Sequence, residues 1–323
     1  MRIAVTGGSG VVGRPLVRHL VAQGHQVLAL ARSQSSATAV QTLGARPVAG
    51  DVLDSAALLN LVSGADQVFH VAGINQMCSP DPGQMDLVNI QGTRNVLTAC
   101  RSAAVGRMIH TSSAVTIGER PGTVGTETSL HRGSYLSRYE RSKHLAERVV
   151  FEEAGDLDVV AVNPSSVQGP GRSSGTGRLI LDVLNGRLPV LVETKVSIVD
   201  IDDCARGHLL AADKGVRGER YLLSGASFGM AEVLDILAGS AGLSSTPRFV
   251  PGWVASAGAV AVSVGARLTG RRPKVCREMV RVLRAGHVYD GSLATRELGL
   301  DYTPLEDTIR RTVDWFEEQG LLT

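Results

Sequence analysis

A glycine-rich segment near the beginning of the chain constrains the fold more than any other feature. The segment TGGSGVVG at residues 6–13 follows an apolar run typical of a strand and precedes a helical pattern. Gly7 allows a tight turn, Gly10 lets backbone amides approach a ligand, and Gly13 lets the helix and the strand pack closely. Because the amides at a helix N-terminus carry partial positive charge, the segment predicts a binding loop for a dinucleotide pyrophosphate. The predicted loop comprises Gly7, Ser9, Gly10, Val11, Val12 and Gly13.

Short β-branched runs alternate with helical stretches through the first half of the chain. Strands are predicted at Arg2–Thr6, Gln26–Leu30, Arg46–Val48, Gln67–Val71, Met108–Thr111 and Val159–Val162, and helices at Val11–Gln23, Ser55–Ser63, Gln84–Ala103 and Tyr135–Ala154. This order predicts an α/β fold, a Rossmann-type doubly wound parallel sheet whose ligands bind at the carboxyl ends of the strands. After Pro164 the pattern changes to a Gly/Ser-rich loop, helices and short strands. We therefore expect a cofactor-binding domain at residues 1–164 and a smaller C-terminal α/β substrate lobe at 165–323, with exchange of a strand or helix between them allowed.

Charge and hydropathy restrict the partners of the chain. The 33 basic and 31 acidic residues nearly cancel, with a net charge of +2 and no basic cluster. We therefore expect a small-molecule substrate, and neither nucleic acid nor an anionic membrane as a partner. The N-terminus has no signal-peptide pattern, which predicts a cytoplasmic protein. The apolar stretch from Gly252 to Leu268 is shorter than the ~20 residues that span a bilayer, so we expect a buried or peripheral helix there.

The cysteines suggest no special chemistry at this stage. Cys78, Cys100, Cys204 and Cys276 are widely separated, without C-x-x-C spacing and too sparse for a disulfide framework. We expect four reduced, buried thiols and no metal site.

The end of the second predicted strand bears on which dinucleotide is bound. NAD-selective loops usually place an acidic residue there, about 20 residues after the glycines, to bond the ribose 2′-hydroxyl. Here the strand ends in Ala31-Arg32-Ser33. A guanidinium and nearby hydroxyls suit a 2′-phosphate, so Arg32 predicts NADP(H), with NAD(H) as the alternative. Asp51, with Val52 beside it after the third strand, is a predicted contact of the adenine edge.

Three side chains form a predicted catalytic group. Tyr139 and Lys143 occur as YERSK within a predicted helix, and the spacing places both on one helix face. A phenol with a pKa of ~10 must lose about three units to exchange protons near neutrality, which corresponds to about 4 kcal/mol. An ammonium at ~4 Å supplies about that much at an effective dielectric near 20, so we expect Lys143 to provide most of the shift. Ser113, after the fifth strand, is predicted to hold the substrate oxygen.

With these motifs the chain resembles the extended short-chain dehydrogenase/reductase superfamily, also called the NAD-dependent epimerase/dehydratase superfamily, over essentially its whole length. The resemblance is carried by TGGSGVVG, by DV at 51–52, HVAG at 70–73, VNIQGT at 88–93, SSA at 112–114 and YERSK at 139–143. The segment NPSSVQGP at 163–170 and the Arg32-Ser33 strand end resemble the dihydroflavonol-reductase-like branch. The segments TGRLILDVLNGRLP, GHLLA and GERYLLSG are similar to the hopanoid-associated sugar epimerase group within it.

The resemblance implies a role for each matching residue. It implies that Tyr139 donates the proton, that Lys143 bonds the nicotinamide ribose, and that Ser113 bonds the substrate oxygen. Further cofactor contacts are implied for Val71, Ala72, Gly73, Pro164 and Val167, and a substrate contact is expected from Asn75. The family's His-x-Ala-Ala pattern ends in glycine here, and the loop that follows has no shared signature, which leaves the substrate open. Asn89 is expected to stabilise the fold.

These observations favour an NADPH-dependent oxidoreductase that reduces an aldehyde or ketone of a secondary metabolite, or catalyses the reverse oxidation. The alternative is a nucleotide-sugar epimerase or dehydratase with tightly bound NAD, for which Arg172, Arg178 or Arg187 could bind the diphosphate. A scaffold that kept the fold and lost the chemistry is a third class, against which the intact Tyr, Lys and Ser count. In many relatives the two long helices form a four-helix interface between subunits, so a homodimer is expected.

Overall fold

A sheet of seven parallel strands forms the centre of the protein in the computed structural model, which describes residues 1–79, 81–241, 246–255, 257–258 and 276–322. The strands are β1 Arg2–Thr6, β2 Gln26–Ala31, β3 Arg46–Ala49, β4 Gln67–His70, β5 Arg107–Thr111, β6 Asp158–Pro164, β7 Ser166–Gln168, β8 Val190–Val192, β9 Lys195–Asp200, β10 Arg220–Leu223, β11 Ala226–Gly229 and β12 Arg248–Val250. The helices are α1 Gly13–Ala22, α2 Gln34–Gln41, α3 Ser55–Val62, α4 Pro82–Asp86, α5 Gly92–Ser102, α6 Arg138–Glu153, α7 Thr176–Leu184, α8 Ile201–Lys214, α9 Met230–Ala241, α10 Arg277–Ala285 and α11 Leu305–Glu318.

The central sheet has the strand order β10-β6-β5-β4-β1-β2-β3, with every neighbouring pair parallel. The order reverses beside β1, which is the switch point where doubly wound sheets bind their ligands. The predicted doubly wound parallel sheet is therefore confirmed. Smaller sheets contain β11-β9-β7 and β12-β8.

Apolar side chains cover both faces of the central sheet. On β1, Ile3 and Val5 belong to one buried cluster and Ala4 to the other, because successive strand residues point to opposite faces. The first cluster is covered by α1 and α8, and the second by α3, α5 and α6. The helices thereby leave the carboxyl ends of the strands as the edge where loops from several elements meet.

A third apolar cluster joins α7, α9 and α11, with Ile180, Leu234 and Phe316 among its buried members. This cluster lies in the part of the chain expected to form the substrate lobe. The strand β10 and the helix α8 also come after residue 164, yet they pack onto the central sheet. They correspond to the exchange of a strand and a helix between the two lobes that the sequence allows. The division into lobes at residue 164 stays a prediction.

Two local features differ from the predicted elements. The helix α2 was not predicted because its apolar pattern is weak, with Val40 its one buried residue, and it begins at a capping box formed by Ser33 and Ser36. The helix predicted over Gln84–Ala103 is divided into α4, a π-helical turn at Leu87–Gln91 and α5. Within that turn the Asn89 carbonyl accepts a hydrogen bond from the Thr93 hydroxyl.

The cysteine prediction is wrong for two of the four residues. Cys78 and Cys276 form a disulfide between positions 198 apart in the sequence. Cys100 and Cys204 are free and buried, as expected. The disulfide joins the loop after β4 to the residue before α10. Spacing along the chain could not reveal it, because only tertiary folding brings these segments together.

No helix among the described residues is long and apolar enough to cross a membrane. The helix predicted at Gly252 to Leu268 falls mostly outside the described residues.

Candidate active site

The glycine loop has the tight backbone packing that its sequence predicts. Gly7 has a φ of +73°, and a Cβ there would lie 2.6 Å from the backbone nitrogen of Ala72. A Cβ on Gly13 would lie 2.1 Å from the Gly7 carbonyl oxygen. The Gly10 amide donates to that same oxygen at 3.0 Å. Positions 7 and 13 therefore require glycine, because backbone atoms occupy the space that a side chain would need.

The loop also fits the group it is predicted to hold. Helix α1 begins at Gly13 with no side-chain cap at Val12, so no side chain competes for the amides of its first turn. Val11 and Val12 are half-buried against the core, and the Ser9 carbonyl accepts from Arg14 Nε at 2.9 Å. A pyrophosphate placed here would receive backbone hydrogen bonds and the positive end of the helix dipole.

The segment after β4 lies between this loop and the predicted catalytic residues. The Val71 amide donates to the Thr6 carbonyl at 3.1 Å, and the Ala72 amide donates to the Thr6 hydroxyl at 3.3 Å. Gly73 is exposed, and a Cβ there would lie 3.9 Å from Lys143 Nζ. A cofactor on the glycine loop would therefore extend along this segment toward Lys143.

Helix α6 carries both Tyr139 and Lys143. The Ser137 hydroxyl caps the helix by accepting from the Glu140 amide at 3.0 Å, so Tyr139 lies in the first turn and Lys143 one turn later. Ser113 lies two residues beyond the end of β5, in extended conformation at the beginning of a short 3₁₀ turn, and is buried. The three predicted catalytic residues thus come together at the carboxyl end of β5.

The acidity of the Tyr139 phenol depends on burial and on two neighbouring side chains, Ser113 and Arg172. Burial raises the pKa of Tyr139, whereas a hydrogen bond with Ser113 and the positive charge of Arg172 lower it. The sequence predicts that Lys143 provides most of this lowering. In the structure the Lys143 ammonium instead donates to the Thr111 carbonyl at 2.6 Å.

Lys143 is itself strongly perturbed. Burial lowers the pKa of Lys143 to about 8, and the nearby carboxylate of Glu147 raises it. Glu147 is buried and accepts hydrogen bonds from Thr116, Asn163 and Arg220. The carboxylate one turn away therefore opposes the loss of the lysine proton that burial favours.

Three buried histidines belong to the same region and were not identified from the sequence as parts of the site. Burial, with Lys143 as a further cause, lowers the pKa of His70 to about 3 and that of His110 well below its usual range. Burial also lowers the pKa of His208 to about 4, and its Nε2 lies 2.9 Å from the Thr111 hydroxyl. All three are therefore neutral at physiological pH. His70 and His110 occupy paired positions on β4 and β5, so their strand-end location was the available signal.

Asn89 fastens the loop after β4 to α6. Its side-chain oxygen accepts from the Ile74 amide at 2.7 Å, and its side-chain nitrogen donates to the Ile74 carbonyl and to the Ser142 hydroxyl. Asn75, the predicted substrate contact, is the next residue and is exposed. The loop that carries Asn75 is thus held beside the helix of Tyr139.

The predicted adenosine end of the site lies at the carboxyl ends of β2 and β3. Arg32 is exposed immediately after β2, beside the Ser33 hydroxyl that caps α2. The Asp51 carboxylate accepts from the Leu53 amide at 3.0 Å, and Val52 is buried. At the opposite end, Pro164 ends β6 and Val167 is buried in β7.

Groups of three or more potential metal ligands are absent from the described parts of the chain.

Comparisons with known proteins agree with this architecture. A family model described as the NAD dependent epimerase/dehydratase family matches residues 3–224. The chain is 33% identical to a putative dihydroflavonol 4-reductase of Synechocystis sp., covering 98% of this chain and 94% of that protein. It is 30% identical to a 2-alkyl-3-oxoalkanoate reductase of Stenotrophomonas maltophilia, covering 96% of this chain and 98% of that protein. The crystal structure of a nucleoside-diphosphate-sugar epimerase from Pseudomonas aeruginosa superimposes with a TM-score of 0.82 at 28% identity, covering 100% of this chain and 99% of the other. The chain thus belongs to the NAD-dependent epimerase/dehydratase family, the extended short-chain dehydrogenases/reductases, whose reductase members match its whole length.

Proposed function

We propose that this chain is an NADP(H)-dependent reductase of an aldehyde or ketone group in a small metabolite, with Tyr139 as the proton donor. The observation that carries the proposal is the position of the phenol, which interacts with the Ser113 hydroxyl and lies one helical turn from Lys143. A carbonyl oxygen held by the two hydroxyl groups would receive its proton from the tyrosine. The bound cofactor would supply the hydride.

Each protein group has a distinct task in this proposal. Ser113 and Tyr139 orient the carbonyl and stabilise the negative charge that develops on its oxygen. Lys143 holds its proton near the phenol and is predicted to bond the nicotinamide ribose. Arg172 adds positive charge that favours the phenolate after proton transfer. The glycine loop and the predicted contacts at Val71, Ala72, Gly73, Pro164 and Val167 position the cofactor.

The test compares Tyr139→Phe with Tyr135→Phe, a tyrosine that precedes α6 and packs against His131 and His144. We expect Tyr139→Phe to lower carbonyl-dependent NADPH oxidation about 10²- to 10⁴-fold, the usual contribution of a general acid. NADPH binding, followed by its fluorescence, should persist in both variants. Equal turnover of Tyr139→Phe and wild-type protein would remove Tyr139 from the mechanism.

Preference for NADP(H) is the second part of the proposal. It is supported by the exposed Arg32 guanidinium after β2, where NAD-selective members carry an acidic residue. Arg32→Gln should lower the ratio of kcat/KM for NADPH over NADH by about tenfold or more, as expected for loss of a charged phosphate contact. Arg18→Gln, an exposed arginine on α1, is the matched control. A wild-type preference for NADH would contradict this part.

The similarity to a nucleoside-diphosphate-sugar epimerase favours a second candidate, transient oxidation of a nucleotide sugar with the cofactor retained. Purified protein that carries NAD without exchange, and that consumes no NADPH with any carbonyl compound, would support it. The predicted homodimer through α5 and α6 can be checked by light scattering in the same preparation.

A further inference from the structure

The loop between β7 and α7 holds an arginine close to the proposed proton donor. The guanidinium of Arg172 interacts electrostatically with the Tyr139 phenol and with the Cys204 thiol. The loop closes tightly around it, since a Cβ on Gly177 would lie 2.2 Å from the Arg172 carbonyl oxygen. A Cβ on Gly175 would lie 3.2 Å from Nη2 of the guanidinium. The loop therefore packs closely around Arg172, after the strand β7.

Arg172 has no carboxylate partner among the described residues, and its buried Nε has no hydrogen-bond partner. The acidic residues of the neighbouring α8 segment are engaged elsewhere. Asp200 bonds Thr308 and Arg311, and Asp203 bonds Thr303 and Arg206. Burial lowers the pKa of Arg172, but a guanidinium remains charged in proteins.

An unpaired cation with a buried nitrogen atom is costly unless a ligand supplies the missing hydrogen bond and opposite charge. The planar guanidinium matches a carboxylate because two parallel N–H groups can bond its two oxygens. The interaction with the phenol also limits where that carboxylate can be attached. Since Tyr139 is proposed to meet the reacting oxygen, a substituent that reaches Arg172 must be attached close to the reacting carbon.

We propose that Arg172 binds a carboxylate of the substrate, and that the substrate is a 3-oxo acid, in which a single carbon separates the ketone from the carboxylate. This inference rests on the proposed reductase function. Hydride from NADPH adds to C3, the proton of Tyr139 passes to the ketone oxygen, and the products are a 3-hydroxy acid and NADP⁺. The carboxylate is unchanged. A relative named 2-alkyl-3-oxoalkanoate reductase acts on a compound of this class by its name.

A diphosphate is the other anion that an arginine could bind, and the surroundings favour the carboxylate. A diphosphate carries more charge and commonly needs a second cation. Arg178, the next arginine along the chain, is exposed and pairs with Asp182 on its own helix at 2.9 Å. With Arg178 already paired, the guanidinium of Arg172 suits a single carboxylate.

The test uses the reverse reaction, because 3-hydroxy acids do not decarboxylate. Oxidation of 3-hydroxydecanoate and of its methyl ester with NADP⁺ is measured for wild type, Arg172→Gln, Arg172→Lys and the control Arg178→Gln. We expect wild-type kcat/KM to be about 10- to 100-fold higher for the acid than for the ester, as for a charge-assisted hydrogen-bonded pair. Arg172→Gln should lower this acid-over-ester ratio at least tenfold, Arg172→Lys should lower it less, and Arg178→Gln should leave it unchanged.

The outcomes separate the carboxylate site from the reductase function. Tyr139-dependent turnover of the ester with an acid-over-ester ratio that Arg172→Gln does not change would overturn the carboxylate site and leave the reductase standing. Where neither compound turns over in wild type, the 3-oxo acid is overturned as the substrate, and the reductase function is decided by NADPH oxidation with other carbonyl compounds. The carboxylate site is then tested by 3-hydroxydecanoate binding to the NADPH complex through NADPH fluorescence. Binding weakened by Arg172→Gln supports the site. The carboxylate site is overturned if 3-hydroxydecanoate does not bind, or if it binds wild type and Arg172→Gln equally. It is also overturned if Arg172→Gln weakens UDP-glucose binding more than 3-hydroxydecanoate binding.

Discussion

The charge pair on α6 allows a quantitative test of the site. Lys143 must keep its proton to act on the phenol and the cofactor ribose, and burial lowers its pKa to about 8. Glu147, one turn along α6, opposes this effect. Replacing Glu147 with glutamine removes the negative charge and keeps a side chain of the same shape among Thr116, Asn163 and Arg220.

The size of the effect follows from the separation of the two charges. Side chains one helical turn apart lie about 5–6 Å from each other, and at an effective dielectric near 20 two unit charges interact by about 3 kcal/mol. Arg220, which bonds to the same carboxylate, offsets part of this interaction. We expect the alkaline limb of the pH profile to move down by about one to two pH units, since one pKa unit corresponds to about 1.4 kcal/mol.

The direction of the pH dependence is determined by the protonated lysine. Activity is present below the pKa of Lys143 and is lost as the pH rises through it. In wild type the loss should be centred near pH 8. In Glu147→Gln, kcat/KM at pH 8 should fall about 5- to 50-fold, because the protonated fraction drops from one half to about a tenth or a hundredth. At pH 6 about half to nine tenths of the activity should return, since the shifted pKa of about 6 to 7 leaves that fraction of the lysine protonated.

The assay is NADPH oxidation at saturating cofactor from pH 5.5 to 9.5, with Tm measured at each pH to verify that the variant is folded. Glu152→Gln is the matched control, since Glu152 is exposed on the same helix and pairs with Arg148. Its alkaline limb should coincide with that of wild type. A folded Glu147→Gln protein with an unmoved alkaline limb would refute the electrostatic link between Glu147 and Lys143.

Three further predictions concern stability and covalent state. Gly13→Ala should lower the free energy of unfolding by about 1–3 kcal/mol or more through overpacking against the Gly7 carbonyl, and should abolish cofactor binding. The control is Gly24→Ala, at a φ of +79° with open space around the added Cβ. It should cost only about 1 kcal/mol of left-handed strain and leave cofactor binding intact. Denaturant unfolding and NADPH titration distinguish the two variants, and equal losses of unfolding free energy would contradict the close-packing argument. Alkylation of the denatured, unreduced protein should label two thiols and reduction should raise this to four, whereas four labelled thiols before reduction would exclude the Cys78–Cys276 bond. Cys78→Ser should lower the free energy of unfolding by about 2–4 kcal/mol, because the bond closes a long loop.

The parts of the fold that follow from local sequence were predictable. The glycine loop lies within a single strand, turn and helix, so residue spacing alone specifies its geometry. Tyr139 and Lys143 share one helix, and their relation follows from helical periodicity. The helix α2 escaped prediction because a serine cap rather than an apolar stripe establishes it.

The electrostatics of the site required the folded chain, because they depend on which charges tertiary packing leaves without partners. From sequence alone, Arg172 is equivalent to Arg178 and Arg187. Arg172 and Arg178 differ in their partners, because Arg178 has an aspartate one turn away on its own helix, whereas Arg172 lies on a loop. The acidic residues that α8 brings nearby are already bonded to other partners. Residue spacing cannot reveal that Arg172 has no carboxylate partner among the described residues once the neighbouring ion pairs have formed. This arginine interacts with Tyr139, the group proposed to transfer the proton. That location is why the substrate class is inferred from Arg172, which has no carboxylate partner among the described residues, while the reaction class is inferred from the tyrosine, serine and lysine.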